Sequence, residues 1–135
     1  THWDHAADVV CLGSGIGGLG AAITAHDHGA SAIVLERADQ LGGVTALSLG
    51  ECWVPGNDLE AAQGVKDSPE SGFRYLKRLA MGYGDDLATL NLTVHAREAL
   101  RYFTDRIGLR MMVIRNCPDY YYGHTNDAVA EGRLL

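Results

Sequence analysis

Glycines at a characteristic spacing offer the clearest chemistry in this chain of 135 residues. Gly13, Gly15 and Gly18 follow the G-x-G-x-x-G pattern, and Ser14 and Gly17 lie between them. In such a turn the first glycine allows a tight bend, the second lets the backbone approach a pyrophosphate, and the third lets a helix pack closely on a strand. The helix N-terminus presents unpaired N–H groups to the phosphates. The spacing predicts that these five residues bind a dinucleotide, although a glycine turn that only packs is the alternative.

An acidic residue closes the same predicted unit. Glu36 ends the next apolar run, 18 residues after Gly18, where a carboxylate can accept hydrogen bonds from the hydroxyls of an adenosine ribose. We include Glu36 and the adjacent Arg37 in the predicted cofactor site. The glycine turn follows a predicted strand, opens a predicted helix and precedes this acid. Because all three contexts are met, the sequence favours dinucleotide binding over a turn that only packs.

A second run of small residues follows the acid. Small side chains let backbone amides lie close to a second phosphate and to a flat ring, so this run favours FAD over NAD. An ordinary surface loop is the alternative, and composition alone does not decide between the two. The residues of this run that we predict to contact the cofactor are Gly42, Gly43, Thr45, Ala46, Ser48 and Gly50.

The composition restricts the class of protein. The chain has 11 Lys plus Arg against 17 Asp plus Glu, a formal net charge of -6, and no basic cluster that could track a nucleic-acid backbone. A hydrophobic share of 47% is ample for a packed core and argues against a disordered chain. Residues 9–25 carry no charge, but they are too few and too rich in glycine for a membrane span. We therefore expect no nucleic-acid partner and no transmembrane segment.

The periodicity of apolar residues predicts an α/β fold. Residues 8–13 and 32–36 are short apolar runs typical of buried strands, with Cys11 in the core. Leu19 to His28 is predicted to form a helix that ends at Gly29. Such a unit implies parallel strands joined by a right-handed crossover. Residues 37–67 are predicted to form a loop.

The chain from residue 67 onward is predicted to be mainly helical. A capping serine and a proline, at positions 68 and 69, begin a helix that is expected to reach about Met81. Gly108 ends another helix, expected from about Leu92 to Arg106. A short strand over 109–114 and irregular chain over 116–135 follow. The apolar faces of the two helices are expected at Phe73, Leu76, Leu79 and Ala80, and at Val94, Ala99, Leu100 and Phe103.

No metal site is predicted. The pairs His2-x-x-His5 and His26-x-His28 lack a third ligand, so surface histidines are the favoured interpretation. The three cysteines are widely spaced and indicate neither a disulfide framework nor zinc. Cysteine usage of this kind makes a reducing cytoplasm the expected location.

Segments along the whole chain carry a family resemblance: Trp3-Asp4, Asp8-Val9-Val10, Gly13-Ser14-Gly15, Val34-Leu35-Glu36, Gly42-Gly43 with Thr45-Ala46 and Ser48, Trp53-Val54-Pro55, Asp67-Ser68, Tyr75-Leu76, Pro118-Asp119-Tyr120-Tyr121 and Gly132-Arg133. By these segments the chain resembles the N-terminal part of flavin-dependent 3-ketosteroid Δ1-dehydrogenases, among the fumarate-reductase-like flavoproteins. The glycine motifs are common to that superfamily. The Trp-Val-Pro and Pro-Asp-Tyr-Tyr segments are narrower and point to the ketosteroid branch.

The resemblance implies a cofactor, a substrate and a reaction. It implies FAD, bound without a covalent link, and a steroid-like substrate held between an FAD-binding domain and a smaller catalytic domain. In the implied reaction a hydride passes from C1 of a 3-keto steroid ring to flavin N5 while a tyrosine takes the proton from C2. The catalytic base and the groups that polarise the ketone belong to later parts of family chains, beyond the end of this one.

The predicted fold class is therefore α/β, a partial Rossmann-like FAD-binding domain made of a βαβ unit with its glycine-rich loop and a helical segment. Two strands are too few for a doubly wound sheet, which normally has about five or six. Residues 1–135 are interpreted as the N-terminal portion of the domain, with the rest of it and the catalytic domain absent from this chain. We expect a second polypeptide to complete the sheet, unless the chain is a fragment.

Within this chain the resemblance gives one residue a part in catalysis. In the family the first tyrosine of Pro-Asp-Tyr-Tyr lies in the active site and supports the base by hydrogen bonding, and Tyr120 is its match. Packing or surface exposure of Tyr120 and its two neighbours is the alternative. Glu51 and Cys52 stand where the family has small or apolar residues, which bears on substrate identity. A buried thiol is commonly inert, which argues against a covalent flavin at Cys52.

Two further functions stay open. One is another fumarate-reductase-like flavoprotein that acts on a cyclic ketone or an enoate. The other is a non-catalytic nucleotide-binding subunit, because the chain lacks a complete catalytic set.

Overall fold

The chain forms two compact units in a computed structural model that describes residues 2–135. The first unit runs up to Glu51 and the second is Cys52–Leu135. The first contains the parallel strands and both glycine-rich segments. The second contains the longest helix and the Pro-Asp-Tyr-Tyr segment. The predicted α/β character is confirmed.

The first unit is a βαβ unit with one short additional helix. Its elements are β1 (Val9–Leu12), α1 (Ile16–Asp27), β2 (Ala32–Leu35) and α2 (Gly43–Leu47). The two strands are parallel, with Val9 opposite Ala32 and Leu12 opposite Leu35. Helix α1 packs on both strands. Cys11 is buried, as predicted. The predicted strand-turn-helix-strand order is confirmed.

Both ends of α1 have a local cause. The helix begins at Ile16, three residues earlier than predicted, with Gly15 as its N-cap. It ends as predicted, because Gly29 adopts a positive φ of 82° after the C-cap. The N–H of Gly29 donates to the carbonyl of His26, and the N–H of Ala30 donates to that of Ala25. This Schellman pattern satisfies carbonyls that the last turn would leave unpaired.

The segment 37–67 is not the continuous loop that was predicted. It contains α2 and a second short helix, α3 (Asp58–Ala61), which belongs to the second unit. Asn57 caps α3, since its side-chain oxygen accepts a hydrogen bond from the N–H of Glu60 at 2.9 Å. An Asn followed three residues later by Glu resembles a capping box, the signal that could have predicted this helix.

Two longer helices form the body of the second unit. They are α4 (Pro69–Leu79) and α5 (Asp86–Ile107), and they pack against each other. Ser68 caps α4 ahead of Pro69, as predicted, and Gly108 ends α5 with a φ of 68°. Helix α5 begins about six residues earlier than predicted because Asp85 caps it, accepting from the N–H of Ala88 at 2.9 Å.

The buried faces of these helices differ from the predicted ones. In α4 the buried residues are Gly72 and Tyr75, and in α5 the buried residue is Thr93, whereas Val94 is exposed. A Cβ added at Gly72 would lie 2.5 Å from a side-chain carbon of Pro55, so the absence of a side chain lets α4 approach the 53–55 segment. Close backbone approach at Gly72 therefore adds to the contacts of the predicted apolar face, whose four residues are half-buried.

Residues 109–114 do not form the predicted strand. Ile114 donates one backbone hydrogen bond to Leu134, at 3.0 Å, and no ladder continues from it within residues 2–135. The predicted irregularity of 116–135 is confirmed, apart from isolated bridges such as that between Trp53 and Leu134. Among the described residues, no helix is both long and apolar enough to cross a membrane.

Candidate functional site

The first glycine-rich turn joins β1 to α1 in the form that the spacing predicts. Gly13 has a φ of 91°, and its N–H donates to the carbonyl of Leu35 at 2.7 Å. A Cβ added at Gly18 would lie only 2.0 Å from the carbonyl oxygen of Gly13. Gly13 therefore makes the bend and Gly18 permits the helix to lie against it. Nothing lies within 4 Å of a Cβ added at Gly17, which sits in open space.

The second glycine-rich segment lies beside the first. A Cβ added at Gly43 would lie 3.7 Å from the Cα atom of Gly15, so the two backbones are close neighbours. The hydroxyl of Thr45 accepts a hydrogen bond from the N–H of Ile16 at 3.1 Å and thereby caps α1, whose N-cap glycine has no side chain to do so. Residues that are about 30 positions apart in the sequence thus line the N-terminus of one helix.

The remaining small residues shape the second segment. Gly42 has a φ of 108°, and a Cβ there would lie 2.7 Å from the Cβ atom of Ala46. Ser48 donates its hydroxyl to the carbonyl of Thr45 at 3.2 Å. Gly50 follows with a φ of 77°. These contacts bend the chain back after α2 and keep its small residues together.

Glu36 lies where the sequence predicts it, just after β2, and three donors converge on its carboxylate. Oε1 accepts from the N–H of Ala38 at 2.9 Å. Oε2 accepts from the N–H of Ser14 at 2.9 Å and from its hydroxyl at 2.6 Å. The bonds from Ala38 and Ser14 lower the pKa of Glu36 to about 2, so the side chain is ionised at neutral pH. The adjacent Arg37 is exposed.

All thirteen predicted cofactor residues thus belong to the first unit, whereas Tyr120 belongs to the second. The structure brings the two glycine-rich segments and Glu36 together. The contact of each residue with a cofactor stays a prediction. Within residues 2–135 no group of three His, Cys, Asp or Glu side chains is arranged to hold a metal ion.

The second unit is organised around a buried arginine that the sequence did not single out as functional. Arg133 has no exposed surface, and its guanidinium forms a two-point pair with Asp67, through Nε and Nη2, each at 2.8 Å. Nη1 donates to Asp119. Nη2 also donates to the hydroxyl of Ser71 at 2.9 Å. Burial opposes ionisation of Asp67, but the hydrogen bonds from Arg133 and from the N–H of Gly56 outweigh it and lower its pKa.

Two aromatic rings enclose the same guanidinium. Trp53 and Tyr75 are stacked with ring centres 5.9 Å apart, and the guanidinium carbon of Arg133 lies 5.3 Å and 5.4 Å from their centres. The indole N–H of Trp53 donates to Oδ1 of Asp119 at 2.9 Å. Gly132 is required beside Arg133, because a Cβ there would lie 1.9 Å from the carbonyl oxygen of Cys117. Five of the segments that carry the family resemblance therefore meet at this one side chain.

These contacts hold the chain on both sides of Tyr120. Asp119 is buried and bonded to Arg133 and Trp53, and the N–H of Tyr121 donates to the hydroxyl of Tyr75 at 3.4 Å. Tyr120 itself is 90% exposed and lies at an apolar cavity of about 330 Å³ whose wall includes Trp53 and Tyr75. Tyr120 therefore does not pack, whereas the alternative of a surface tyrosine fits its exposed ring. The catalytic role of Tyr120 stays a prediction.

Glu60 is the second buried ionisable residue that the sequence did not reveal. It is 1% exposed, and its Oε2 accepts from the side-chain amide of Asn57 at 2.8 Å, while Oε1 has no hydrogen-bond partner. Burial raises the pKa of Glu60 to about 7, and the charges of Asp67 and Asp119 act in the same direction. The group holds a proton into the neutral range.

Comparison with known proteins assigns the domain. Residues 8–127 match the model of a family described as "FAD binding domain". The chain belongs to this family. The resemblance stated above and the prediction of FAD as cofactor are both confirmed, since the relatives include 3-oxosteroid 1-dehydrogenases.

Among these relatives, the chain is 34% identical over 113 residues to 4-oxocyclohexanecarboxylate 2-dehydrogenase of Sinomonas cyclohexanicum, and the alignment covers 84% of this chain and 20% of the relative. The chain is 33% identical over 128 residues to 3-oxosteroid 1-dehydrogenase of Comamonas testosteroni, and that alignment covers 95% of this chain and 22% of the relative. The crystal structure of 3-ketosteroid Δ1-dehydrogenase from Sterolibacterium denitrificans, in complex with 1,4-androstadiene-3,17-dione, matches with a TM-score of 0.80 at 33% identity, over 95% of this chain and 22% of that one. The chain thus spans about a fifth of the length of these relatives.

Proposed function

We propose that this chain is the FAD-binding portion of a dehydrogenase that oxidises a CH–CH bond beside the ketone of a ring substrate, with a 3-keto steroid as the leading candidate. The observation that carries the proposal is the meeting of two glycine-rich segments at the N-terminus of α1, with the ionised Glu36 nearby. Support for the substrate class comes from the relatives, whose names specify steroid and cyclohexane ketones.

The residues present fit FAD by their chemistry. Gly15 and Gly43 leave backbone exposed for a pyrophosphate, and the positive end of the α1 dipole favours an anion there. Glu36 would accept from the adenosine ribose. When bound, the flavin supplies an acceptor for a substrate hydride. We propose a non-covalent link, because burial raises the pKa of the Cys52 thiol and so disfavours the reactive thiolate.

Tyr120 is proposed to support the catalytic base. Its exposed ring stands at an apolar cavity, and its neighbours are fixed on both sides. In the proposed reaction a tyrosine outside this chain removes the proton from C2 of the substrate, and the hydroxyl of Tyr120 donates a hydrogen bond to that base. Such a bond stabilises the deprotonated form of the base and lowers its pKa toward the working range.

We propose that residues outside 1–135, in a second polypeptide or in the same one, complete the FAD-binding and catalytic domains. Val10, Leu12 and Leu35 are 52%, 81% and 53% exposed, and the parallel register aligns them on the sheet face that α1 does not cover. Parallel sheets are normally covered on both faces and are found in sheets of more strands. This apolar face therefore supports the addition of further strands and a second layer.

The cytoplasmic location remains a proposal based on cysteine usage. None of the three cysteines forms a disulfide within residues 2–135.

The substrate can be tested by flavin bleaching. The purified flavoprotein is mixed without oxygen with a 3-keto steroid, with 4-oxocyclohexanecarboxylate and with succinate. Bleaching by the steroid supports the leading proposal. Bleaching by the cyclohexanone alone supports the second candidate, which the 34% identical relative favours. Bleaching by succinate alone refutes both ketone proposals. Bound flavin that none of the three compounds bleaches also refutes them, and this result is expected of a non-catalytic subunit.

A variant pair tests the role of Tyr120. Tyr120→Phe removes one hydroxyl, and we expect the bleaching rate to fall about 10-fold or more with a shift of the pH–rate profile to higher pH. Tyr83→Phe is the matched control, because Tyr83 lies in the same unit and is 94% exposed. Equal rates and profiles for the two variants would refute the role given to Tyr120.

A further inference from the structure

Ser14 is fully buried although it lies within the glycine turn. Its hydroxyl donates to Oε2 of Glu36 at 2.6 Å and accepts from the N–H of Gly42 at 2.9 Å. Its own N–H donates to the same Oε2 at 2.9 Å. The side chain therefore bonds to two neighbouring segments and has no surface with which to touch a ligand.

The lone pairs of Glu36 are unequally occupied as a result. A carboxylate oxygen accepts about two hydrogen bonds. Oε2 receives two, both from Ser14, whereas Oε1 receives one of normal geometry, from the N–H of Ala38. The backbone of Arg37 adds a weaker hydrogen bond to the carboxylate. Oε1 is therefore the oxygen that retains capacity for a further donor. Because all three donors are fixed by the backbone or by burial, the carboxylate has one orientation.

We propose that Ser14 is a positioning residue for FAD: it locks Glu36 so that Oε1 receives the ribose hydroxyl. The Ser14 side chain would thus act on the cofactor indirectly, and a backbone contact of Ser14 with the cofactor stays a prediction. The inference rests on FAD binding and is independent of the substrate proposed above.

This role predicts that Ser14 affects the binding of one flavin and not of another. FAD contains the adenosine ribose and FMN does not, so a residue that acts through Glu36 should matter for FAD and not for FMN. A residue that only stabilised the glycine turn should affect both, because both flavins carry a phosphate group. Comparison of the two flavins therefore separates positioning from general stabilisation.

The chain offers a matched control at the other end of the sheet. Oδ2 of Asp8 accepts from the hydroxyl of Ser31 at 2.6 Å and from its N–H at 2.8 Å. This is the same serine–carboxylate arrangement, placed before β1 and β2 rather than after them. Ser31→Ala removes the same kind of hydrogen bond without touching either glycine-rich segment.

The experiment compares flavin affinities of the purified flavoprotein after its flavin has been removed. We expect Ser14→Ala to weaken FAD binding at least 10-fold and to change FMN binding less than 2-fold. Ser31→Ala should change neither. Ser14→Ala combined with Glu36→Ala should weaken FAD binding no more than Glu36→Ala alone, because the serine acts through the carboxylate.

Two results would overturn the inference. One is an equal loss of FAD and FMN affinity in Ser14→Ala, and the other is unchanged FAD affinity. Should Ser14→Ala fail to fold, Ser14→Cys retains much of the volume with a weaker donor and is compared in the same way. An independent measurement is the carboxyl titration of Glu36 by NMR, where Ser14→Ala should raise the pKa and Ser31→Ala should not. A flavoprotein that binds FAD but oxidises no ring ketone would refute the proposed function and leave this comparison intact.

Discussion

The two glycines that flank the start of α1 should fail in different ways when each gains a methyl group. Gly15 has a φ of -68° and a ψ of 177°, which alanine adopts without strain. Its added Cβ would meet Thr45 Oγ1 at 3.8 Å and the carbonyl oxygen of Gly42 at 3.9 Å, which are ordinary contacts. Gly15→Ala should therefore leave the apoprotein as stable as the parent, or stabilise it by about 0.4–1 kcal/mol through the unfolded state.

Gly18→Ala should instead damage the fold. The added Cβ would lie 2.0 Å from the carbonyl oxygen of Gly13, so the helix or the turn must move by more than an ångström. Overpacking of this kind costs about 3 kcal/mol. For a small unit that corresponds to a fall of at least about 10 °C in the unfolding midpoint.

The cofactor separates the two variants further. The methyl group of Gly15→Ala would stand between the two glycine-rich segments, where the backbone is proposed to approach the pyrophosphate. We expect FAD affinity to fall at least about 100-fold, or about 2.7 kcal/mol. Thermal unfolding of both apoproteins and calorimetric titration with FAD measure the two effects. Retention of FAD with parental affinity by Gly15→Ala, or parental stability of Gly18→Ala, would refute the reasoning.

Two further predictions concern the second unit. Arg133→Met leaves Asp67 and Asp119 buried without their cation and should lower the free energy of unfolding by about 3–5 kcal/mol, measured with urea. The control Arg74→Met breaks an exposed ion pair and should lower it by less than about 1 kcal/mol. Similar losses in the two variants would contradict the central role of Arg133. The pKa of Glu60 is about 7 in the folded protein against an ordinary 4.5. The stabilising contribution of Glu60 is therefore complete below about pH 4.5 and is lost as pH rises through 7. Between these two values the free energy of unfolding should fall by about 1.4 kcal/mol for each pH unit. Glu60→Gln should remove that pH dependence and be the more stable protein at pH 8, and an unchanged dependence would contradict the assignment.

Local backbone chemistry is the part of the fold that could be predicted from the sequence. Gly13 and Gly29 adopt positive φ angles where a turn and a helix end were predicted, and Gly108 ends α5 in the same way. Ser68 begins α4 as predicted. In each case the feature depends on neighbours within a few residues, so a short segment contains all the information.

The sequence-based predictions of secondary structure were wrong where contacts between residues far apart in the sequence determine the conformation. Helix α1 includes Gly18, which has poor helix propensity, because the helix must lie against the turn at Gly13. The apolar run 109–114 has the composition of a strand, but within the described residues no neighbouring strand pairs with it. Propensity predicted the conformation of these segments in isolation, and the tertiary partners determined the outcome.

The residues of the candidate site also differ in whether local sequence or distant contacts determine their placement. The geometry of the glycine-rich turn could be predicted because this turn is a local motif whose glycines act at fixed positions, while the cofactor contacts of its residues stay a prediction. The burial of Arg133 could not be predicted, because its hydrogen-bond partners lie up to 66 positions away and arginine side chains are usually exposed. No spacing within the sequence connects Asp67, Asp119 and Arg133.

The family resemblance therefore contains two kinds of residue that the sequence alone does not distinguish. In the Pro-Asp-Tyr-Tyr segment, Asp119 is buried against Arg133 and Trp53, whereas the adjacent Tyr120 is exposed beside an apolar cavity. A substitution at Asp119 is expected to act through the position of the segment, and one at Tyr120 through chemistry. Ser14 and Glu36 divide in the same way, because the serine is buried and the carboxylate keeps an oxygen with spare acceptor capacity. In both units a buried residue holds a neighbouring side chain that remains exposed or keeps an unused acceptor, so we expect burial to separate positioning residues from contact residues.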